Sequence, residues 1–148
     1  MADVIVDPIA PEQVNLVVGL YNQLFRPHKD RSSFEHRYHG RPQLLQLVAR
    51  RHDRPVGFLV AYETEPQVLW VWLLGVLPDD RRQGIASQLL EAAESWAGET
   101  GYEWLRGECL NTQRAALALL IARGFDIVGL RWDAEQLENQ ILFQKPLR

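Results

Sequence analysis

Residues 68–77 read VLWVWLLGVL, ten positions without a polar side chain. A helix that crosses a bilayer needs about 20 apolar residues, so this run is too short to span a membrane. It does not alternate, as a strand with one wet face would, and so suits a central strand covered on both faces. Gly75 weakens that strand. A glycine there often marks a bulge or a close approach to the backbone.

The flanking sequence supplies elements to cover such a strand. Residues 4–9 alternate weakly and read as a strand. Pro11 suits a helix start, and Val14, Val17, Val18, Tyr21 and Leu24 share one face of the helix that follows. A polar connection (26–33) leads to a short helix within 33–42, ended by Gly40 and Pro42. Strands at 44–50 and 56–63 flank the turn 52–55 and read as a hairpin, with Val56, Phe58, Val60 and Tyr62 on one face. Ile85, Leu89, Leu90, Ala93, Trp96 and Ala97 recur at helical spacing, and that helix ends near Gly98 or Gly101. A strand at 102–110 follows. The next helix, capped by Asn111 or Thr112, buries Ala116, Leu119 and Leu120, carries Arg123 in its last turn and stops at Gly124. Strands at 125–132 and 139–147 close the chain. The tight link between 44–50 and 56–63 makes that pair antiparallel. The helix between 68–77 and 102–110 makes those strands parallel through a right-handed crossover. The fold class expected is α/β (α+β), a mixed sheet with helices packed on it. No linker divides the 148 residues, so 1–148 reads as a single domain.

Charge and cysteine usage narrow the function. A net charge of −3 makes no case for nucleic acid or an anionic membrane. Cys109 is the only cysteine, which excludes an internal disulfide and points inside the cell. The opening MADVIVDPIAPEQ has no basic segment followed by an apolar core, so no leader is expected and the cytoplasm is the default. His28, His36, His39 and His52 show no ligand spacing, so no metal is expected. Cys109, Trp70, Trp72 and Trp96 read as core residues. Strand alternation puts Trp70 and Trp72 on one face, from which Trp72 can reach a cleft.

The segment LPDDRRQGIASQLL (77–90) joins the apolar strand to an amphipathic helix. The first amides of that helix lack internal partners and, with the aligned peptide dipoles, favour an anion. Gly84 lets a phosphate approach the backbone, Ala86 adds only a methyl, and Arg81 and Arg82 add forked cationic donors. The stretch is built like a diphosphate cradle. It is neither a Walker loop, since Ile85, Ala86 and Ser87 follow Gly84, nor a dinucleotide fingerprint, which needs three glycines.

These residues resemble the GNAT superfamily of acyl-CoA-dependent N-acyltransferases. The signature Gln/Arg-x-x-Gly-x-Gly/Ala stands here as Arg81-Arg82-Gln83-Gly84-Ile85-Ala86, after the strand residues Leu74-Gly75-Val76-Leu77 and Pro78. A second hallmark, an Asn before a helix ending in Gly-Phe, stands as Asn111 through Gly124-Phe125. The terminal Ile-Leu-Phe-Gln-Lys-Pro-Leu is similar to the family's last strand. The resemblance covers about two-thirds of the chain, from roughly residue 56 to the end. It implies a mostly antiparallel central sheet, helices on both faces and a parallel strand pair that splays apart. It implies that the N–H groups of Arg82, Gln83, Gly84, Ile85, Ala86 and Ser87, with Arg81 beside them, hold the pyrophosphate of acetyl-CoA. Leu74 and Val76, flanking Gly75, would pair with the pantetheine arm, and Asn111 would bond its far end.

The implied reaction is direct transfer of an acetyl group, through a tetrahedral intermediate, to a primary amine of a small molecule or peptide. A strand N–H near Val76 would stabilise the oxyanion. Two frequent family side chains are absent: Leu120 stands where many members carry an acidic tyrosine, and Trp72 and Leu73 stand about where many carry a glutamate. The leaving thiolate, with a pKa near 8.5, departs without much help. The amine still has to lose a proton, and Glu108, Tyr62 and Glu63 are the candidate bases. The missing side chains leave open a non-catalytic acyl-CoA-binding sensor or scaffold, and the loop alone leaves open a nucleotide-phosphate domain. Exposed strands allow a homodimer.

Overall fold

The computed structural model describes residues 3–148; Met1 and Ala2, the first two positions of the segment expected to lack a leader, lie outside the described residues. Strand β1 (Val4–Ile9) leads through a 3-10 turn at Pro11–Gln13 into α1 (Val14–Leu24) and α2 (Arg31–Tyr38). Then come β2 (Leu44–Arg51), β3 (Arg54–Glu65) and β4 (Val68–Val76). After them run α3 (Ile85–Thr100), β5 (Trp104–Leu110), α4 (Arg114–Ala122), β6 (Asp126–Asp133) and β7 (Glu138–Pro146). The described strands form one seven-stranded sheet in the order β1-β2-β3-β4-β5-β7-β6. Only β4 and β5 run parallel; every other neighbouring pair is antiparallel. The apolar run is thus the middle strand of seven; Val68, Leu69 and Val76 are buried, while 70–75 are only half-buried, so the full cover expected on both faces is not reached along its middle.

Strand alternation sends side chains to two cores. Leu59, Ala61 and Leu69 pack with Leu89, Leu90 and Ala93 of α3. Phe58 and Val60 pack with Val17, Leu20 and Tyr21 of α1 and Phe34 of α2. His52 and Asp53, at φ 52° and 61°, make the β2–β3 link, a backbone twist that suits a two-residue hairpin.

Two irregularities depart from simple alternation. Opposite Ala49 and Arg50, β3 accommodates an extra residue, Val56, whose side chain joins the α3 core instead of sharing a face with Phe58. In β4 the bulge expected near Gly75 lies at Trp72, because Val60 pairs with Leu73 while Ala61 pairs with Val71. At Gly75 itself the other reading, a close approach to the backbone, holds. A Cβ there would lie 2.8 Å from Leu24 Cδ1 and 3.0 Å from Phe58 Cε1, so α1 packs directly on this backbone. Gly75→Ala is expected to overpack the core and cost about 2 kcal/mol, read as a lower urea midpoint with an unchanged slope.

Helix α4 corrects two expectations. Neither Asn111 nor Thr112 caps it. Gln113 precedes it and turns its Oε1 back to accept from the Leu110 amide at 2.7 Å, while Thr112 donates to Glu138. Ala116, Leu119 and Leu120 are only half-buried, because they face a cavity rather than closed core.

Candidate active site

Strands β4 and β5 pair from Val68 opposite Trp104 to Val71 opposite Gly107, and then part. Beyond that point β5 stays with β7 as far as Leu110, and β4 stays with β3 as far as Val76. The Trp72 bulge lies one residue past the last parallel pair and bends β4 away, as an extra strand residue does. The wedge between the strands is a cavity of about 410 Å³, walled by 71–74 and 107–110 and floored by Leu90, Phe125 and the half-buried face of α4. That volume falls within the range of small-molecule sites.

The backbone of β4 offers polar groups to this wedge. Leu77 N–H donates to the Val56 carbonyl at 2.9 Å, and alternation along the antiparallel pair then turns Leu74 and Val76 away from β3. The Val76 carbonyl accepts from Arg81 Nε at 3.0 Å, which confirms that it points outward. Arg81 thus serves one of the β4 groups that the resemblance assigns to pantetheine.

The loop between β4 and α3 is held open. Arg82 and Gly84 both take left-handed backbones, at φ 64° and 78°, and Gly84 caps α3 without any side-chain bond. The first helical bond runs from Gln88 N–H to the Gly84 carbonyl, so the amides of Ile85, Ala86 and Ser87 have no partner within the helix. A Cβ on Gly84 would meet nothing within 4 Å, so the start of α3 is open at this residue. Ile85 buries its side chain in the α3 core and offers only its backbone. Ala86 sits one turn before Leu90, the residue that floors the wedge, so cradle and wedge are consecutive along α3. Beneath the loop, Asp80 is 2% exposed and accepts from Arg51 Nη1 at 2.7 Å and Arg54 Nη2 at 3.4 Å. Arg51 also donates to the side chain of Gln83.

A second, wider cavity of about 850 Å³ opens on the α1–α2 face of the sheet and shares Trp72, Arg106, Glu108, Asp133 and Gln140 with the wedge. Tyr62 and Glu108 both line it. Tyr62 is almost fully buried, packs 6.2 Å from the Trp72 ring and accepts from Arg37 Nη1 at 3.3 Å. Glu108 accepts two bonds from Arg131, at 2.6 and 3.2 Å. Glu63 is not brought to this cleft. The following position in β3 points to the other face, where Glu63 accepts from Tyr102 at 2.7 Å. Burial and the Glu63 carboxylate hold the Tyr102 hydroxyl well above the usual phenol range. Asn111 is exposed at the end of β5, outside the lining of either cavity, and its amide donates to the Asn139 carbonyl at 2.9 Å.

Trp72 packs on Phe34 at 5.2 Å while lining both cavities, so it is core and cleft residue at once. Trp96 stacks on Tyr102. Burial, with the Glu108 charge, pushes the Cys109 thiol up to about 11. Sequence reasoning missed the Asp80 brace and the cleft arginines Arg37, Arg41, Arg106 and Arg131. Asp80 and Arg51 are 29 positions apart, and no local pattern joins them. Among the described residues no group of three His, Cys, Asp or Glu side chains converges as metal ligands would, and no helix is long and apolar enough to cross a membrane.

Comparison with known proteins adds to this geometry. A family model described as "Acetyltransferase (GNAT) family" matches residues 14–125. No curated protein matches the chain in sequence. Among solved structures, the ribosomal-protein-S18-alanine N-acetyltransferase of Escherichia coli superposes with a TM-score of 0.84 at 17% identity, covering 98% of this chain and 94% of that one. The IAA acetyltransferase of Bacillus cereus gives 0.82 at 22% identity, over 97% and 99% of the two chains. The Arabidopsis thaliana NAA60 structure, a complex with a bisubstrate analogue, gives 0.78 at 17% identity, over 97% and 98%. At these identities the likeness is one of fold.

Proposed function

The chain belongs to the acetyltransferase (GNAT) family, and from that premise we propose that it is a cytoplasmic, acetyl-CoA-dependent N-acetyltransferase acting on a primary amine. One observation carries this reading: the uncapped start of α3 and the opening between β4 and β5 follow one another along a single helix. Acetyl-CoA, as substrate, brings an acyl group activated as a thioester. The amides of Ile85, Ala86 and Ser87, with the backbone of Arg82, Gln83 and Gly84, suit its two phosphates. The outward groups of Leu74 and Val76 suit an extended amide-bearing arm, and the apolar face of α4 suits its methylenes. Asn111, exposed just past the end of β5, would bond that arm outside the cavity lining. An N–H of the outward-turned β4 backbone stabilises the oxyanion that develops during transfer.

The amine arrives from the wider cavity. Most alkylamines are protonated at pH 7, with a pKa near 10.4, so the site has to accept a proton. Glu108 is the candidate best placed for this, because the residue lines both cavities. Arg131 fixes its orientation. Tyr62 shapes the wall between Arg37 and Trp72, and Glu63, turned away, anchors Tyr102 instead of meeting the amine. The thiolate needs no dedicated acid, which fits Leu120 on the wedge floor. Edge strand β6, with Leu130 and Trp132 exposed, is the surface that a homodimer would use.

The test is thiol release from acetyl-CoA with a panel of amines, alongside calorimetry with coenzyme A, ATP and NAD. Turnover with micromolar coenzyme A binding is expected. Binding without turnover on any amine would make the protein an acyl-CoA sensor, and stabilisation by ATP or NAD but not coenzyme A would overturn the family mechanism here.

A further inference from the structure

We propose that the acceptor is an amine that also carries an anionic group, and that Arg37 and Arg41 select it by holding that group. This rests on the acetyltransferase reading above and names the substrate class of the same site. The wider cavity is lined by four arginines, Arg37, Arg41, Arg106 and Arg131, against three carboxylates, Glu65, Glu108 and Asp133. The carboxylates are already engaged. Arg106 lies 3.5 Å from Glu65, and Arg131 lies 2.6 Å from Glu108 and 4.0 Å from Asp133. Arg37 and Arg41 have no carboxylate within ion-pair distance among the described residues.

Both are nevertheless held in place. The Arg37 guanidinium lies 4.6 Å from the Trp72 ring centre, and the Arg41 guanidinium lies 4.1 Å from that of Tyr62. Arg41 Nε donates to the Arg37 carbonyl at 3.4 Å, and Arg37 donates to the Tyr62 hydroxyl at 3.3 Å. Stacking occupies the face of a guanidinium and leaves most of its in-plane N–H donors free, so two preorganised forks stand in the cavity wall. Forked donors match carboxylate and phosphate oxygens. Lys29 and His36 join Arg37 around the adjoining pocket beside Trp72, whose lining holds no acidic residue. A polyamine or a lysine side chain flanked by cations would meet uncompensated positive charge here. An amine with its own anion would place the anion on the forks and its ammonium toward Glu108.

The experiment compares amines that differ only in the anion: phenylalanine against phenethylamine, phosphoethanolamine against ethanolamine, and spermidine as the polycation. The anionic member of a pair is expected to show at least a tenfold higher kcat/KM, carried by KM, and the carboxylate and phosphate arms say which anion fits. Arg37→Gln with Arg41→Gln is expected to erase that preference by raising KM for the anionic member of each pair, and Lys at both positions is expected to restore part of it. Equal rates within the pairs, a preference for spermidine, or a preference that survives the double substitution would overturn the proposal. A readout independent of turnover is the Trp72 fluorescence, taken as the difference from Trp72→Phe, on titration with N-acetylphenylalanine and with phosphoethanolamine. Saturable change with either, lost in the double variant, supports the anion site even if no amine is acetylated. No change with either refutes it while coenzyme A calorimetry separately reports the cradle.

Discussion

Gly84→Val is expected to lower coenzyme A affinity about a hundredfold, some 2.7 kcal/mol, while the sheet stays folded. Two effects act together. Gly84 has φ 78°, where a β-branched side chain strains the backbone that presents the α3 amides. The new methyls would also occupy space at the start of α3 that no protein atom fills, since a Cβ at this position has no atom within 4 Å, and so would hinder a phosphate's approach to the backbone there. The loss amounts to one or two charge-assisted hydrogen bonds, each worth roughly 1.5–3 kcal/mol. Because that space is empty of protein, core packing is untouched and thermal unfolding should shift by only a few degrees. Gly84→Ala keeps the positive-φ strain with far less bulk, and its smaller loss in calorimetry would separate occlusion from strain. An affinity indifferent to valine would move the phosphates elsewhere.

Asp80→Ala is expected to be the most destabilising change in the loop, at about 3 kcal/mol. Asp80 is 2% exposed and Arg51 14%, so this is a buried ion pair. Arg54 is 58% exposed, so solvent screens it and it adds little. Truncating Asp80 would leave the Arg51 guanidinium buried without its carboxylate, and its Nε already lacks a partner. For a chain of this size the loss corresponds to a fall in Tm of roughly 10 °C. Because Arg51 also holds Gln83, the cradle loosens too, and coenzyme A affinity should fall about tenfold. Asp80→Asn, which retains a hydrogen-bond acceptor, should lose less in both measurements. Unchanged melting in Asp80→Ala would show that the brace contributes nothing to the fold.

Much of this architecture is legible in the chain. The central strand, the amphipathic α3 and the uncapped loop before it follow from local patterns: an unbroken apolar run, helical spacing from Ile85 to Ala97, and Gly84 where a helix begins. Strand β1 lies at the residues its alternation marks, and the 44–50 and 56–63 segments pair as a hairpin. The departures share a cause. The bulges at Val56 and Trp72 depend on which residue a neighbouring strand presents opposite them, and no periodicity within one strand records that. Gly75 reads locally as a mark of a bulge or of a close approach, and only the packed structure selects the approach and names Leu24 and Phe58 as its partners. Ala116, Leu119 and Leu120 have the spacing of core residues, and only the parting of two strands makes them the floor of a cavity.

The amino-acid order by itself determined most of the elements, the antiparallel sense of the 44–50 and 56–63 pair, the parallel sense of 68–77 and 102–110, and the family resemblance, because apolar periodicity, turn residues and connection length act along the chain. The tertiary structure alone decided what stands beside what across the cleft. It turned Glu63 away and Glu108 inward, set Asp80 against Arg51, and stacked Arg37 and Arg41 on Trp72 and Tyr62. Those pairings join residues distant in the chain, and only the folded sheet with its helices brings them within reach of one another.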